Sequence, residues 1–329
     1  IQTVSALLSE LPTAGVHRQN DWESGWGQNL EDLERNSDET SIIPKYFNKF
    51  NLVRWRQELI APVHKNMEHQ MLGFILDWIS DEFLRDFSNI YEFGAGTGHN
   101  LLRFRKRHDS TTLWGLDWAK SSQRIIQRIA ERREDSNIRA SYFDYFNPDE
   151  TFPLADSSAV VTVASLEQIG TRFEPFLTYL MKNSPRLVVH VEPIGELLDQ
   201  NNLMDYLSLE YFKKRNYLSG YLTRLQELES RRKIQVIKAQ RSHMGSFFID
   251  GYSSVGNIVS GKLLGEQNYK KLLKLSIKLT KYSVAVAILL SFICGLFYFQ
   301  IGRLFSKDEL VLQSFYSVFW IVLIMQPIN

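Results

Sequence analysis

Cysteine is almost absent from this sequence of 329 residues, which has a single thiol at Cys294. An intramolecular disulfide and a cysteine-based metal site are therefore excluded, and a reducing, cytoplasmic location is expected. The chain also has no excess of one sign of charge, because 38 Lys and Arg residues balance 37 Asp and Glu residues, for a formal net charge of +1. We therefore expect no nucleic-acid partner, and we expect no metal site.

Two long uncharged runs lie near the C-terminal end, at residues 282–302 and 310–329. Each is long enough to cross a bilayer, which takes about 20 apolar residues. Residues 256–281 precede them and are rich in lysine, which predicts a basic linker on the cytoplasmic side. A pair of buried core helices is the alternative. We expect two transmembrane helices within residues 282–329, placed in the cytoplasmic membrane.

Apolar strand patterns alternate with helical patterns between residues 89 and 255. Buried strands are predicted around NIYEF, TTLWGLDW, IRASYFDYF, SAVVTVASL and RLVVHVEPI. This alternation predicts an α/β fold with a Rossmann-like, doubly wound and mainly parallel sheet of seven strands. The last two strands, KIQVIKAQ and SFFIDGYSSV, are joined by a short link, which predicts an antiparallel strand at one edge. Before the sheet we expect a polar arm over residues 1–40 and helices over residues 41–88 that cap the ligand site.

The stretch YEFGAGTGHN, residues 91–100, follows the first predicted strand of the sheet. In a parallel α/β sheet, ligands bind beyond the carboxyl ends of the strands. Gly94 and Gly96 allow the backbone to turn sharply and to approach a ligand without an intervening Cβ. A helix begins near Thr97, so its free N–H groups point toward the same place. The stretch is therefore a predicted ligand-binding turn, with a plain tight turn as the alternative.

The spacing of this turn is E-x-G-x-G-x-G, and it resembles motif I of class I S-adenosylmethionine (SAM)-dependent methyltransferases. The G-x-G-x-x-G spacing of dinucleotide folds is missing, which disfavours an NAD-dependent oxidoreductase. SAM carries an ammonium and a sulfonium and no phosphate, so a nearby carboxylate complements its charge. The resemblance implies SAM as the cofactor, bound by Glu92, Gly94, Ala95, Gly96 and Gly98.

The ends of the following strands complete the expected SAM site. Asp117 ends the second strand, where its carboxylate can accept hydrogen bonds from both ribose hydroxyls. A helix cap is the alternative for Asp117, and a loop role is the alternative for Asp144. The other residues of the expected site, beside the adenosine or where cofactor and acceptor meet, are Trp118, Phe143, Asp144, Tyr145 and Ser165.

Three titratable residues at strand ends are candidates for a catalytic base. An oxygen acceptor benefits from a base whose pKa lies near neutrality. Glu192 precedes Pro193 at the end of the fifth strand and is the best placed of the three, and Glu167 follows the fourth strand. His190 alternates with buried valines, so a role in the core is its alternative.

A closer resemblance is to bacterial methyltransferases of surface-polysaccharide and lipopolysaccharide gene clusters, in stretches such as ESGWGQNLEDL, TVASLEQIG and KAQRSHMGSFFIDGYSSV. It implies methyl transfer to a hydroxyl of a sugar or nucleotide-sugar. The stretch DGYSSVGNIVSGKLLGEQNYKKL, with the two apolar runs after it, resembles part of MATE-type multidrug transporters. The alternative function is therefore a membrane transport or tethering protein whose SAM-binding domain is not catalytic.

Overall fold

The structure is a computed structural model that describes residues 11–36, 38–47, 49–259, 291, 294–305 and 308–325. The chain divides into two compact units, Ile1–Lys262 and Leu263–Asn329. The strands are β1 (Val53–Trp55), β2 (Glu58–Ile60), β3 (Asn89–Phe93), β4 (Thr112–Asp117), β5 (Ile138–Tyr142), β6 (Ala159–Val163), β7 (Leu187–Glu192), β8 (Ile234–Gln240), β9 (Met244–Gly245) and β10 (Ser253–Val259). The α-helices are α1 (Gln19–Arg35), α2 (Met67–Phe83), α3 (His99–Arg105), α4 (Lys120–Arg132), α5 (Glu174–Asn183), α6 (Leu203–Arg215), α7 (Tyr221–Ser230), α8 (Tyr298–Phe305) and α9 (Glu309–Met325).

Seven strands form one sheet in the order β5–β4–β3–β6–β7–β10–β8. The five strands β3 to β7 pair in parallel, and β10 runs antiparallel to both of its neighbours, β7 and β8. The mainly parallel, Rossmann-like sheet of seven strands is therefore confirmed. The predicted antiparallel pair at one edge is also present, because β8 lies at the edge and pairs antiparallel with β10, although the reversed strand itself, β10, lies one place inside the edge. The chain leaves β7 through α6 and α7 and places β8 at the edge, and β10 then returns into the gap between them.

Alternating residues of the central strands face two separate cores. In β6, Ala159, Val161 and Val163 belong to one buried cluster, while Val160 belongs to the other. Because side chains alternate along a strand and helices cover both faces, a central strand is apolar throughout. α4 packs on the first core through three isoleucines that are at most 4 % exposed: Ile125, Ile126 and Ile129. Both faces of the sheet are thus buried. Polar groups that could bind a ligand are therefore expected at the ends of the strands.

The region before the sheet differs from its predicted form. Residues 19–35 form the 17-residue helix α1, where a polar arm was expected. Its buried residues, Trp26, Asn29 and Leu33, recur at intervals of three and four, so one narrow face packs inward while the rest of the helix is polar. β1 also pairs with β2 and β9 in a small antiparallel sheet that the sequence pattern does not predict.

A long helical stretch expected after β7 is two helices. α6 ends at Asn216, which has a left-handed backbone with φ 53°. α7 begins after Gly220, whose φ is 78°. Two residues in this conformation end one helix and start another, since a right-handed helix cannot pass through them.

The second unit contains α8 and α9 among its described residues. α9 covers most of the second predicted span and is 17 residues long. In the part of the chain that the structure describes, no helix is both long and apolar enough to cross a membrane. The prediction of two transmembrane helices is therefore not supported, although most of the first predicted span lies outside the described residues. The predicted linker, residues 256–281, also lies mostly outside the described residues. Its first residues are not linker but the end of strand β10, which extends to Val259.

Candidate cofactor and acceptor site

A crevice opens at the carboxyl ends of β3, β4 and β6. It contains about 740 Å³ of space, its open mouth included. The strand registers bring these ends together, because Phe93 pairs with Leu116 on one side and with Thr162 on the other. Eight of the residues predicted for the SAM site line the crevice, namely Gly94, Ala95, Gly96, Asp117, Trp118, Phe143, Tyr145 and Ser165.

The glycine turn, Gly94–Gly98, forms the base of the crevice. Its three glycines have φ values of 68°, 53° and 73°, a region that other residues enter only with strain. A Cβ on Gly94 would overlap the side chain of Ser165, and a Cβ on Gly98 would lie 2.7 Å from Cγ1 of Ile126. The N–H groups of Gly94 and Ala95 both donate to the Leu116 carbonyl, at 2.7 and 3.0 Å. The backbone of the turn is therefore bonded directly to the end of β4.

Asp117 ties the end of β4 to this turn. Its Oδ2 accepts from the Gly96 N–H at 2.9 Å, and its Oδ1 accepts from the Ala119 N–H at 2.9 Å, at the start of α4. Burial raises the pKa of Asp117 to about 6, against the lowering effect of these N–H groups. The carboxylate thus holds the backbone on both sides of the crevice, whose lining it joins, and a carboxylate can accept more bonds than these two.

Glu92 lies behind the crevice rather than in its lining. The side chain is 1 % exposed, and its Oε1 accepts from Nδ2 of Asn100 at 2.7 Å. Asn100 itself lines the crevice. Glu92 Oε2 is buried with no hydrogen-bond partner among the described residues. Burial raises the pKa of Glu92 to about 8, although the Asn100 bond lowers it.

The aromatic residues after β4 and β5 surround one end of the crevice. The hydroxyls of Tyr145 and Ser165 lie 3.0 Å apart, above the first glycine. Trp118 and Phe146 have ring centroids 5.9 Å apart. Asp144 takes a different role from the predicted one, because its Oδ1 accepts from the Phe146 N–H at 2.8 Å within a local turn. Neither Asp144 nor Gly98 is among the described residues that line the crevice.

The outer side of the crevice is formed by Tyr46, which lies within the expected cap of residues 41–88, and by two tryptophans that the sequence analysis did not single out. We call residues 19–36 and 38–47 the N-terminal cover. Trp22 and Trp26 of α1 line the crevice with Tyr46, and Trp26 lies directly over Gly96. The two tryptophans are one helical turn apart, with ring centroids 5.4 Å apart. Their i, i+4 spacing was the available signal, because it places both rings on one face of a helix.

Side-chain bonds attach the N-terminal cover to the sheet domain. The Glu23 carboxylate accepts from the Lys120 N–H at 2.6 Å and from the Ser121 N–H at 3.0 Å, so α1 caps the first turn of α4. Nδ2 of Asn29 donates to the carbonyls of Ser41 and Ile43, at 2.8 and 3.2 Å. These bonds hold the segment that carries Tyr46 against α1.

Two of the three candidate bases are fully engaged inside the protein. Glu192 accepts from the N–H groups of residues 165, 166 and 167 at 3.1 to 3.3 Å, and burial raises its pKa to about 7 against those donors. His190 lies between the Thr162 hydroxyl, at 2.9 Å, and the Tyr221 hydroxyl, at 2.8 Å. Burial lowers the pKa of His190 to about 3, so it is a neutral core residue. The structure therefore assigns both groups to support of the strand ends.

Glu167 is adjacent to the crevice without lining it. Its Oε1 accepts from Nε2 of Gln168 at 2.9 Å, and Gln168 is a lining residue. Burial raises the pKa of Glu167 to about 8, and the charge of Glu192 adds to the effect.

No protein-family model matches the chain. Among curated proteins, the chain is similar to the protein-lysine N-methyltransferase EFM4 of Saccharomyces cerevisiae, at 22 % identity over 142 residues, 43 % of this chain. The match spans 55 % of the length of that relative.

Two solved structures are similar to part of the chain. The O-methyltransferase NcsB1 from neocarzinostatin biosynthesis, in complex with SAM and a naphthoic acid, is 15 % identical with a TM-score of 0.42, over 58 % of this chain and 56 % of that one. The [4+2]-cyclase SpnF is 11 % identical with a TM-score of 0.48, over 75 % of this chain and 98 % of that one. None of these three relatives is named as a surface-polysaccharide enzyme or as a transporter, so those finer resemblances have no support from them.

Proposed function

We propose that this chain is a SAM-dependent methyltransferase. The observation that carries the proposal is that the glycine turn and Asp117 open into one crevice at the ends of adjacent parallel strands. The methyltransferase named as the curated relative supports it, as does the sequence resemblance to motif I.

The residues of the crevice fit SAM in both shape and charge. Gly94, Ala95 and Gly96 line the crevice, so the amino-acid part of SAM can lie against the turn. Asp117 accepts the ribose hydroxyls, and Trp118 and Phe143 flank the base. The carboxylate of Asp117 complements a cationic ligand, whereas it would repel the pyrophosphate of a dinucleotide.

The chain contributes position and charge to the reaction. SAM supplies a methyl group that is activated by the attached sulfonium. In-line displacement at that carbon depends on alignment of the acceptor, so rigid placement by the turn and by Ser165 lowers the barrier. We propose a sugar or nucleotide-sugar as the acceptor, following the sequence resemblance, and a cytoplasmic location, following the near absence of cysteine. The protein groups near the transferred methyl determine whether an oxygen or a nitrogen of the acceptor reacts.

Calorimetric titration of the full chain tests the proposal. S-adenosylhomocysteine (SAH) and SAM should each bind with a stoichiometry of one, and NAD⁺ should not compete. Incubation with methyl-tritiated SAM and a cell extract should then label a metabolite or glycan. Failure of SAH to bind would reject the proposal, and binding without any labelled product would favour a non-catalytic SAM-binding protein.

A further inference from the structure

The side-chain amide of Gln168, a residue of the crevice wall, has one of its two polar atoms unpaired. Its Oε1 is buried and has no hydrogen-bond partner among the described residues. Its Nε2 donates to Oε1 of Glu167 at 2.9 Å. Because a carboxylate accepts, this bond decides which end of the amide faces Glu167, and it leaves Oε1 as an acceptor directed away from it. A buried acceptor without a partner costs free energy, so this atom calls for a donor from a ligand.

The Gln168 side chain is held in this orientation by its neighbours. Its residue lies in a short 3₁₀ turn, Leu166–Ile169, where its N–H donates to the Ser165 carbonyl at 3.1 Å. The Tyr217 hydroxyl lies 3.5 Å from Nε2 of Gln168 and accepts from Nη2 of Arg215 at 3.3 Å. Rotation of the amide would break its bond to Glu167, so Oε1 cannot turn to another protein group without loss.

Tyr46 lines the same crevice from the side of the N-terminal cover. Its ring packs on Phe47 and on Trp26, with ring centroids 4.7 and 6.4 Å apart. Its hydroxyl has no hydrogen-bond partner among the described residues, and 43 % of the residue is exposed. Aromatic contacts therefore hold the ring, while the hydroxyl keeps a proton to donate and lone pairs to accept.

Tyr145, the other tyrosine among the described lining residues, gives its proton to the protein. Its hydroxyl lies 3.0 Å from the Ser165 hydroxyl. Ser165 Oγ donates to the Phe93 carbonyl at 3.0 Å, with Oε1 of Glu192 at 3.5 Å as a second acceptor. Because Ser165 has only one proton and gives it to one of these acceptors, Tyr145 must donate between the two hydroxyls. Tyr46 is therefore the lining tyrosine whose proton remains for a ligand.

We propose that Gln168 and Tyr46 bind the reacting group of the methyl acceptor, which donates to Oε1 of Gln168 and accepts from the Tyr46 hydroxyl. This inference rests on the proposed methyltransferase function and names two residues that bind the acceptor. A hydroxyl or a neutral amine can make both bonds with one atom. An ammonium has no lone pair and an ether has no proton, so neither can make both.

The two bonds leave the acceptor atom with a direction for reaction. Two of its positions are fixed by the protein, so a remaining lone pair can be aimed at the methyl group, and such alignment lowers the barrier. That lone pair forms the bond to the methyl carbon, and the carbon–sulfur bond breaks with its electrons on sulfur. The proton of the acceptor passes to water at the open mouth of the crevice.

Initial rates of label transfer from methyl-tritiated SAM to a metabolite extract, over a dilution series of the extract, test the proposal on the full chain. Tyr46→Phe and Gln168→Met each remove hydrogen-bonding groups at nearly constant shape. At limiting extract each should lower the rate about 10- to 100-fold, because one bond to the acceptor is lost. SAH affinity, measured by calorimetry, should stay close to that of the wild-type chain. Tyr142→Phe and Gln70→Met are the matched controls at exposed positions and should change neither quantity.

The outcomes separate this inference from the function on which it rests. Wild-type rates in Tyr46→Phe and Gln168→Met would overturn the inference and leave the methyltransferase proposal intact. A loss of SAH affinity as large as the loss of rate would also overturn it, since the two side chains would then serve the cofactor or the fold. A wild-type chain that binds no SAH or labels nothing would overturn both.

Discussion

The glycine turn and the N-terminal cover form opposite sides of one crevice but are held in different ways. The turn is fixed by backbone bonds to Leu116 and by Asp117, all within one strand–turn–helix–strand unit. The cover is attached to α4 chiefly by the side chain of Glu23, and its two segments are tied together by Asn29. We infer that the turn defines what binds, while the cover adjusts how tightly it is held.

The largest expected effect comes from Gly94→Ala in the turn. The new Cβ would overlap Ser165 in a backbone region that alanine rarely adopts. We expect SAH affinity, measured by calorimetry, to fall by about 100-fold or more. Gly27→Ala in α1 is the control, since it meets no atom within 4 Å and should stabilise the helix without changing affinity. Equal losses of SAH affinity in the two variants would contradict the role of the glycine turn in binding.

The next largest effect on SAH affinity concerns Asp117 and Asp144, the two aspartates that were predicted from the sequence to contact the nucleoside. Asp117→Asn should weaken SAH binding by about 10- to 100-fold, because an amide nitrogen cannot accept the Gly96 N–H or a ribose hydroxyl. Asp144→Asn should change affinity by less than about twofold, since Asp144 closes a local turn. A larger loss for Asp144 than for Asp117 would reverse the assignment.

A pH titration extends the Asp117 prediction without any substitution. The pKa of Asp117 is raised to about 6, so the carboxylate is ionised above that pH and protonated below it. Only the ionised form has both oxygens free of protons to accept. SAH affinity should therefore rise about tenfold from pH 5 to pH 7. Asp117→Asn should flatten this step, and an unchanged slope in that variant would assign it to another group.

The smallest effect is expected in the N-terminal cover. Glu23→Ala removes the acceptor of two N–H groups at the start of α4 and should lower stability by about 1 kcal/mol. SAH affinity should fall only a few-fold, because the turn stays in place. Glu31→Ala is the control, since this exposed side chain pairs with Arg35 on the same helix. Both changes are read from thermal melts and calorimetry. A 100-fold loss of SAH affinity in Glu23→Ala would contradict the inference that the glycine turn defines what binds while the N-terminal cover only adjusts the affinity.

The sequence predicts the glycine turn well and the N-terminal cover poorly. The strands, the turn and the place of Asp117 carry local signals, namely alternation, glycine spacing and a strand-end carboxylate. The roles of Trp22, Trp26 and Tyr46 depend on contacts with residues far along the chain. The i, i+4 spacing of the two tryptophans places them on one helix face, but no local pattern shows what that face covers. His190 and Glu192 were candidates for a base, with a core role as the alternative for His190, because strand-end polar residues look alike in sequence. Only the structure shows that their hydrogen bonds are already satisfied by the protein.

A crystal structure of the full chain with SAH tests the central claim most directly. We predict that the ribose hydroxyls lie within hydrogen-bond distance of Asp117, with the amino-acid part against Gly94 and Gly96 and the rings of Trp22 and Trp26 over the outer side. SAH bound elsewhere, or a crevice that stays closed by Trp26 at saturating SAH, would contradict the account.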